Sequence, residues 1–175
     1  MAEGLLNLLR GVRSKPRKLA AGELLFRAGD PVQALFHVEQ GCIRLIQGGT
    51  TLHMAEAGQS FAESALFSEA YPCDAVAETH SQVQAFAKTA VLLLLKAHPD
   101  LNLAFSAYLA RQLHRLRGNV QLTRLKGAEA RVLTYLSLAG AADGAITLAQ
   151  PLTQMAWEIG LTREALYRTL GKLEK

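Results

Sequence analysis

The stretch Leu152-Thr153-Gln154-Met155-Ala156-Trp157-Glu158-Ile159-Gly160-Leu161-Thr162-Arg163-Glu164-Ala165-Leu166-Tyr167-Arg168-Thr169-Leu170-Gly171-Lys172-Leu173-Glu174-Lys175 decides how this chain is read. It holds two short helical patterns with a glycine between them. Met155, Ile159 and Leu161 fall where a first helix and its exit would bury them. Gly160 can take the positive φ that a tight interhelical turn requires. Thr162 can then cap a second helix, its hydroxyl accepting from an early backbone N–H. Leu166, Leu170 and Leu173 recur at steps of four and three and form one apolar stripe. Arg163, Glu164, Tyr167 and Arg168 fall outside that stripe, on the first two turns. A helix-turn-helix presents those turns to the DNA major groove. Arginine reads guanine O6 and N7 there, and glutamate accepts from cytosine N4. The same residues also fit a solvated helix face, with Glu164 and Arg168 as an i,i+4 ion pair worth roughly 0.3–0.5 kcal/mol.

Upstream, Gly127 opens this C-terminal module (127–175). A helix is expected over Ala128 to Leu138, with Val132, Leu133 and Leu136 inward. Gly140 to Gly144 reads as a loop, Ala145 to Leu148 as a short strand, and Pro151 as the opening of the next helix. Residues 99–126 read as one long helix starting near Pro99. Within it Leu109, Leu113, Leu116, Val120 and Thr123 are spaced 4, 3, 4 and 3, the rhythm of a coiled-coil seam. Phe105 and Leu101 extend that line upstream in steps of four. Such a stripe between two small domains must be buried somewhere, either in a two-helix dimer seam or against its own barrel. Gly118 costs about 1 kcal/mol relative to alanine and fits close approach of a partner helix. Residues 111–126 hold five basic groups and no acid, which also fits an exposed flank.

The texture differs from Leu19 to about Ala87. Apolar residues alternate or cluster over Glu23–Arg27, Ala34–Glu39, Ile43–Ile46, Thr51–Ala55, Ala75–Glu78 and Val83–Phe86. Gly22, Gly29, Gly41, Gly48-Gly49 and Gly58 punctuate them. Short strands between regular turns imply a small β-barrel or sandwich, with Gly48-Gly49 as its clearest hairpin turn. A short helix is expected from a Thr89 cap through Lys96.

Half of the 175 residues are apolar, enough for a real core. The longest apolar run, Ala90 to Leu95, is far short of the ~18 residues that span a bilayer. Leucines precede the basic residues at the N-terminus, the reverse of a secretory signal. Cys42 and Cys73 are isolated, with no metal-ligand spacing, which points to a reducing compartment and a cytoplasmic protein without membrane partners. The net charge of +4 is unevenly distributed. Residues 19–98 carry four basic and eight acidic groups, and residues 99–175 carry ten and six. A basic C-terminal part suits a polyanion. Arg10, Arg13, Lys15, Arg17 and Lys18 read as a solvated tail.

Residues 19 to 175 resemble the Crp/Fnr family of bacterial transcription regulators. The resemblance rests on Phe26-Arg27-Ala28-Gly29-Asp30, Phe36-His37-Val38-Glu39-Gln40-Gly41-Cys42-Ile43-Arg44-Leu45, Gly58-Gln59-Ser60-Phe61-Ala62-Glu63-Ser64-Ala65-Leu66-Phe67 and Gly160-Leu161-Thr162-Arg163-Glu164-Ala165-Leu166-Tyr167-Arg168. It implies an α+β chain in three parts. Residues 1–98 would form a double-stranded β-helix (a β-roll like that of cyclic-nucleotide-binding domains), 99–126 a dimerisation helix, and 127–175 a winged helix-turn-helix. The family's β-hairpin wing does not appear within residues 1–175: either these residues are part of a longer protein or this form lacks the wing, and without it the last turn is expected to fray and DNA affinity to fall. The implied partners are a second copy of the chain and a near-palindromic DNA duplex, with RNA polymerase a further candidate. Arg163, Glu164 and Arg168 match base-contacting positions, Tyr167 stands where a smaller residue is usual, and Thr162 and Lys172 match phosphate contacts. Phe105, Leu109, Leu113, Leu116 and Val120 would line the dimer seam.

The resemblance also implies an effector pocket at Ala62, Glu63, Ser64, Cys73, Asp74 and Ala75. In cyclic-nucleotide members a glycine precedes the ribose-binding glutamate, and an Arg-Ser pair holds the phosphate. Here Glu63 is kept, Ala62 replaces the glycine, and Cys73-Asp74 stand in place of Arg-Ser. Loss of the arginine removes a bidentate, charge-assisted contact, and the carboxylate adds repulsion. Cyclic AMP and cyclic GMP are therefore expected to bind poorly, and the effector is unknown. Haem stays a candidate cofactor, although haem-binding relatives vary in axial ligand and no position carries over. No metal site and no catalytic residue is expected. His53 and Glu56 lack the paired histidines of a cupin-like enzyme, and no nucleophile–base pair or phosphate loop is found. The alternative is a regulatory or haem/redox β-roll acting through a protein partner without DNA.

Overall fold

The computed structural model describes residues 5–139 and 152–173. The loop and strand expected over 140–148, and Pro151, lie outside the described residues. The chain divides into two compact units, Met1–Leu109 and Ala110–Lys175. The first begins with a short helix α1 (Leu5–Leu8), followed by strands β1 (Ser14–Leu19), β2 (Leu24–Phe26), β3 (Ala34–Gln40), β4 (Cys42–Gln47), β5 (Thr50–Glu56) and β6 (Ser60–Phe61). A 3-10 turn (Glu63–Phe67), β7 (Asp74–Ala77), β8 (Ser81–Ala87) and helix α2 (Lys88–Ala97) follow. Helix α3 (Pro99–Thr123) begins in this unit and ends in the next. The second unit adds α4 (Ala128–Ala139), α5 (Leu152–Glu158) and α6 (Arg163–Leu173).

The strands make two antiparallel four-stranded sheets, ordered β1-β8-β3-β6 and β2-β7-β4-β5, a sandwich-like jelly roll. Each strand inferred between residues 19 and 87 is present. Gly48 and Gly49 both have positive φ, 55° and 78°, so a two-residue turn joins Gln47 to Thr50 across the β4–β5 hairpin. One face of each strand fills the interior. Phe36 and Val38 of β3 meet Ile43, Ala55, Ala75 and Ala77 from the other sheet, all at most 5% exposed. Leu35 and Phe86 point the other way and are covered by α1, α2 and the start of α3.

Three expectations need correction. The basic stretch read as a solvated tail is in part β1, paired with β8 from Ser14↔Phe86 to Leu19↔Ser81. Its side chains are exposed up to Leu19, but its backbone bonds to β8, and hydropathy cannot register that pairing. Pro16 is tolerated because β1 is an edge strand. Helix α2 is preceded by Ala87 at the N-cap, with no side-chain cap, so Thr89 lies inside the helix. Leu133 is 49% exposed, whereas Val132 is fully buried and Tyr135 and Leu136 pack beside it. At 100° per residue, positions 132, 135 and 136 share a face that 133 leaves.

Candidate effector region and nucleic-acid interface

Inside the jelly roll, four aromatic rings form a cluster. Phe26 stacks on Tyr71 with centroids 3.7 Å apart, and lies 5.7 Å from Phe36 and 6.4 Å from Phe61. Phe36 and Phe61 are 5.3 Å apart. The Tyr71 hydroxyl donates to the carbonyl of Ala34 at 2.6 Å and accepts the N–H groups of Gln33 and Ala34. Burial pushes this phenol above its ordinary pKa. Tyr71 escaped the sequence reading because it sits in a loop, where no periodicity marks an inward residue.

The six residues expected to line an effector pocket stand in two short segments, 62–64 and 73–75. Ala62 follows Phe61 and precedes the 3-10 turn, with φ 63° and ψ 12°. It is the one positive-φ residue other than glycine among the described residues. The backbone thus takes a left-handed conformation that suits glycine, at a cost of about 1–2 kcal/mol for an L side chain. Glu63 and Ser64 open the 3-10 turn, Ser64 exposed. The other segment leads into β7. Cys73 is buried, and burial first, then Asp74, raises its thiol pKa. Ala75 is fully buried, whereas Asp74 lies on the opposite face of the strand. The Asp74 carboxylate accepts the N–H of Ala28 at 2.7 Å and so ties β7 to the turn after β2. No cation stands at residues 70–78, where the expected phosphate site would need one.

His37 projects from β3, with Nδ1 3.0 Å from the Ser60 hydroxyl. Burial lowers its pKa, with Glu39 opposing. The Cys42 thiol is pushed up to about 11 by burial, then by Glu56 and Glu78. Among the described residues no group of three His, Cys, Asp or Glu side chains is placed to hold a metal ion, and no helix is long and apolar enough to cross a membrane.

In the second unit, α5 and α6 are joined by a turn in which Gly160 has φ 65°. Met155, Ile159 and Leu166 are fully buried beside Leu122 and Val132, with Leu161, Leu170 and Leu173 packed against them. Thr162 caps α6: its hydroxyl accepts the N–H of Ala165 at 3.1 Å. Arg163, Glu164, Tyr167, Arg168 and Lys172 are exposed on the other side. The Arg163 guanidinium lies 5.6 Å over the Tyr167 ring, a cation–π contact one turn apart. The Glu164 carboxylate takes bonds from its own N–H and from the Thr162 hydroxyl, which hold its pKa below the usual value. Its partners are thus at the helix start, rather than Arg168. The expected seam divides: Phe105 is buried in the first unit and Leu109 packs against the same cluster, while Leu113, Leu116 and Val120 are 50–53% exposed.

Residues 16–98 match the family profile described as the cyclic nucleotide-binding domain. Over those residues the chain is similar to a cyclic nucleotide-binding domain. Among solved structures, the sensor domain of the transcriptional regulator DNR from Pseudomonas aeruginosa is 28% identical, covering 62% of this chain and 82% of that one, with a TM-score of 0.55. DNR itself is 27% identical over 96% of this chain and 78% of that one, with a TM-score of 0.56. FixK2 from Bradyrhizobium japonicum shares the fold at 17% identity and a TM-score of 0.64, covering 93% and 85% of the two chains. No curated protein matches the chain. The matched segment holds the eight strands of the jelly roll apart from the start of β1, with the aromatic cluster in its interior.

Proposed function

We propose that this protein is a sequence-specific, DNA-binding transcription regulator of the Crp/Fnr type, a homodimer controlled by an effector other than cyclic AMP. The observation that carries the reading is the outer face of α6. Arg163, Glu164, Tyr167 and Arg168 stand exposed on its first two turns while Leu166 and Leu170 anchor the opposite side. That is the presentation a recognition helix needs, and the likeness to DNR over nearly the whole chain supports it. The half-exposed Leu113, Leu116 and Val120 supply a stripe for a second α3, and a twofold pair of α6 helices would read a near-palindromic site. Thr162 and Lys172 would contact phosphates and set register.

The effector reading rests on chemistry in the cyclic nucleotide-binding domain. Cys73 and Asp74 offer no cation, and the Asp74 carboxylate is bonded to the Ala28 N–H. A cyclic phosphate would meet no guanidinium there, so titration calorimetry with cyclic AMP should give no micromolar binding.

Sites selected from a random DNA pool should be retarded in a gel shift, with affinity falling steeply as salt rises. Arg163→Ala and Arg168→Ala should each cost about 1–3 kcal/mol on the selected site and relax preference at one base position. Absence of any selected sequence, or variants that bind as the parent does, would refute the proposal.

A further inference from the structure

We infer that Arg131 is a positioning residue that ties the α5–α6 turn to the end of α3, so that the direction of α6 follows α3. The inference rests on the DNA-reading role proposed for α6. Arg131 lies on the first turn of α4, a position the sequence reading left unassigned. Its Nε donates to the carbonyl of Leu125 at 2.9 Å, in the link between α3 and α4. Its Nη1 donates to the carbonyls of Ile159 and Gly160, at 3.3 Å and 3.0 Å. Those two carbonyls follow the last residue of α5, where helix geometry leaves acceptors without an intrahelical donor. One planar cation thus joins three carbonyls from two segments far apart in sequence.

The packing around Gly160 makes the junction close. A Cβ placed there would lie 3.3 Å from the Thr123 methyl and 3.4 Å from Arg131 Nη1. Thr123 is the last residue of α3, and its own hydroxyl donates back to the Val120 carbonyl at 2.9 Å. The turn therefore sits directly against the Thr123 side chain at the end of α3. Arg163, the first residue of α6, is three positions from Gly160. A small change in the last turn of α3 would shift Leu125 and Thr123, and Arg131 would carry that shift to the turn and to α6. A lysine cannot replace this function, because a single ammonium lacks the rigid fork that spans all three acceptors.

The test uses the full chain and its own selected palindrome, beside palindromes with one or two base pairs added at the centre. The parent protein should discriminate against the longer spacers by at least about tenfold, as dimeric readers with fixed helix spacing do. Arg131→Lys should narrow that discrimination by about tenfold. It should leave non-specific DNA binding and the thermal midpoint near the parent values, because the charge is kept. A merely structural loss would lower all three affinities together and leave their ratio unchanged. Arg131→Lys with the parent's spacer discrimination would overturn the inference and leave the regulator reading standing. If Arg131→Lys does not fold, Thr123→Ser decides by the same ratio: it removes the methyl group against Gly160 and keeps the hydroxyl. A parent chain that selects no DNA sequence would overturn both.

Discussion

At the residue scale, the two cysteines show how burial governs chemistry. A thiolate is the reactive form of cysteine, and the Cys42 thiol is pushed from 9.0 up to about 11 by burial, Glu56 and Glu78. At neutral pH its thiolate population is then about a hundredfold below that of an unperturbed thiol. Cys73 is raised for the same first reason. A thiol switch needs the opposite environment, cationic and open. Native protein should react with a disulfide reagent at pH 7.5 at least tenfold more slowly than protein in denaturant, by absorbance of the released thiol. Equal rates would mean that the thiols are far more open than their burial indicates. This bears on function, because a redox sensor built on either cysteine is the weaker reading of the domain.

The same scale shows what a sequence discloses about a site. Thr162 and Gly160 were legible because a cap and a positive-φ turn each demand a particular residue type. Arg163, Glu164, Tyr167 and Arg168 were legible as a polar face because a helix repeats every 3.6 residues. Their local partners were not. The Arg163–Tyr167 contact and the Thr162–Glu164 bond depend on rotamers, which spacing does not specify. Arg131 gave no signal, since its acceptors lie 6, 28 and 29 positions away.

At the scale of the element, alternation and turn chemistry revealed the strands that have apolar inner faces and glycine ends. It missed β1, whose five residues before Leu19 are polar or proline, and β6, which has only two residues. Neither can announce itself without the neighbour that supplies its hydrogen bonds. The start of the 3-10 turn carries a testable strain. Ala62 holds φ 63°, and Ala62→Gly should relieve about 1–2 kcal/mol of left-handed strain. Added freedom of the unfolded chain should offset about 0.4–1 kcal/mol of that gain. The expected result is a net stabilisation of roughly 0.5–1 kcal/mol and a thermal midpoint higher by a few degrees. A lower midpoint would show that the alanine side chain contributes packing that outweighs its strain.

At the scale of the whole molecule, the long helix α3 has two kinds of apolar surface. Phe105 is 1% exposed inside the first unit, while Leu116 remains 53% exposed. A continuous heptad rhythm therefore runs over one buried and one half-exposed surface, and periodicity alone could not tell them apart. If the exposed part meets a second copy, Leu116→Asp would place two carboxylates in an apolar seam. Sedimentation should then show a monomer that keeps its helical content and loses DNA binding, because the substituted side chain is half-exposed within its own chain. A Leu116→Asp protein that remains dimeric would exclude this seam.

The sequence alone determined the order of parts: a β-rich segment with glycine turns, a long amphipathic helix, and two helices around Gly160. These follow from local rules, period two, period 3.6 and positive φ, which act between residues a few positions apart. Tertiary structure alone decided that the roll's interior holds Phe26, Phe36, Phe61 and Tyr71 in one cluster, that Asp74 bonds to Ala28, and that Arg131 reaches the α5–α6 turn. Those facts depend on contacts between segments distant in the chain, whose geometry is set only once both sheets and the helices have packed.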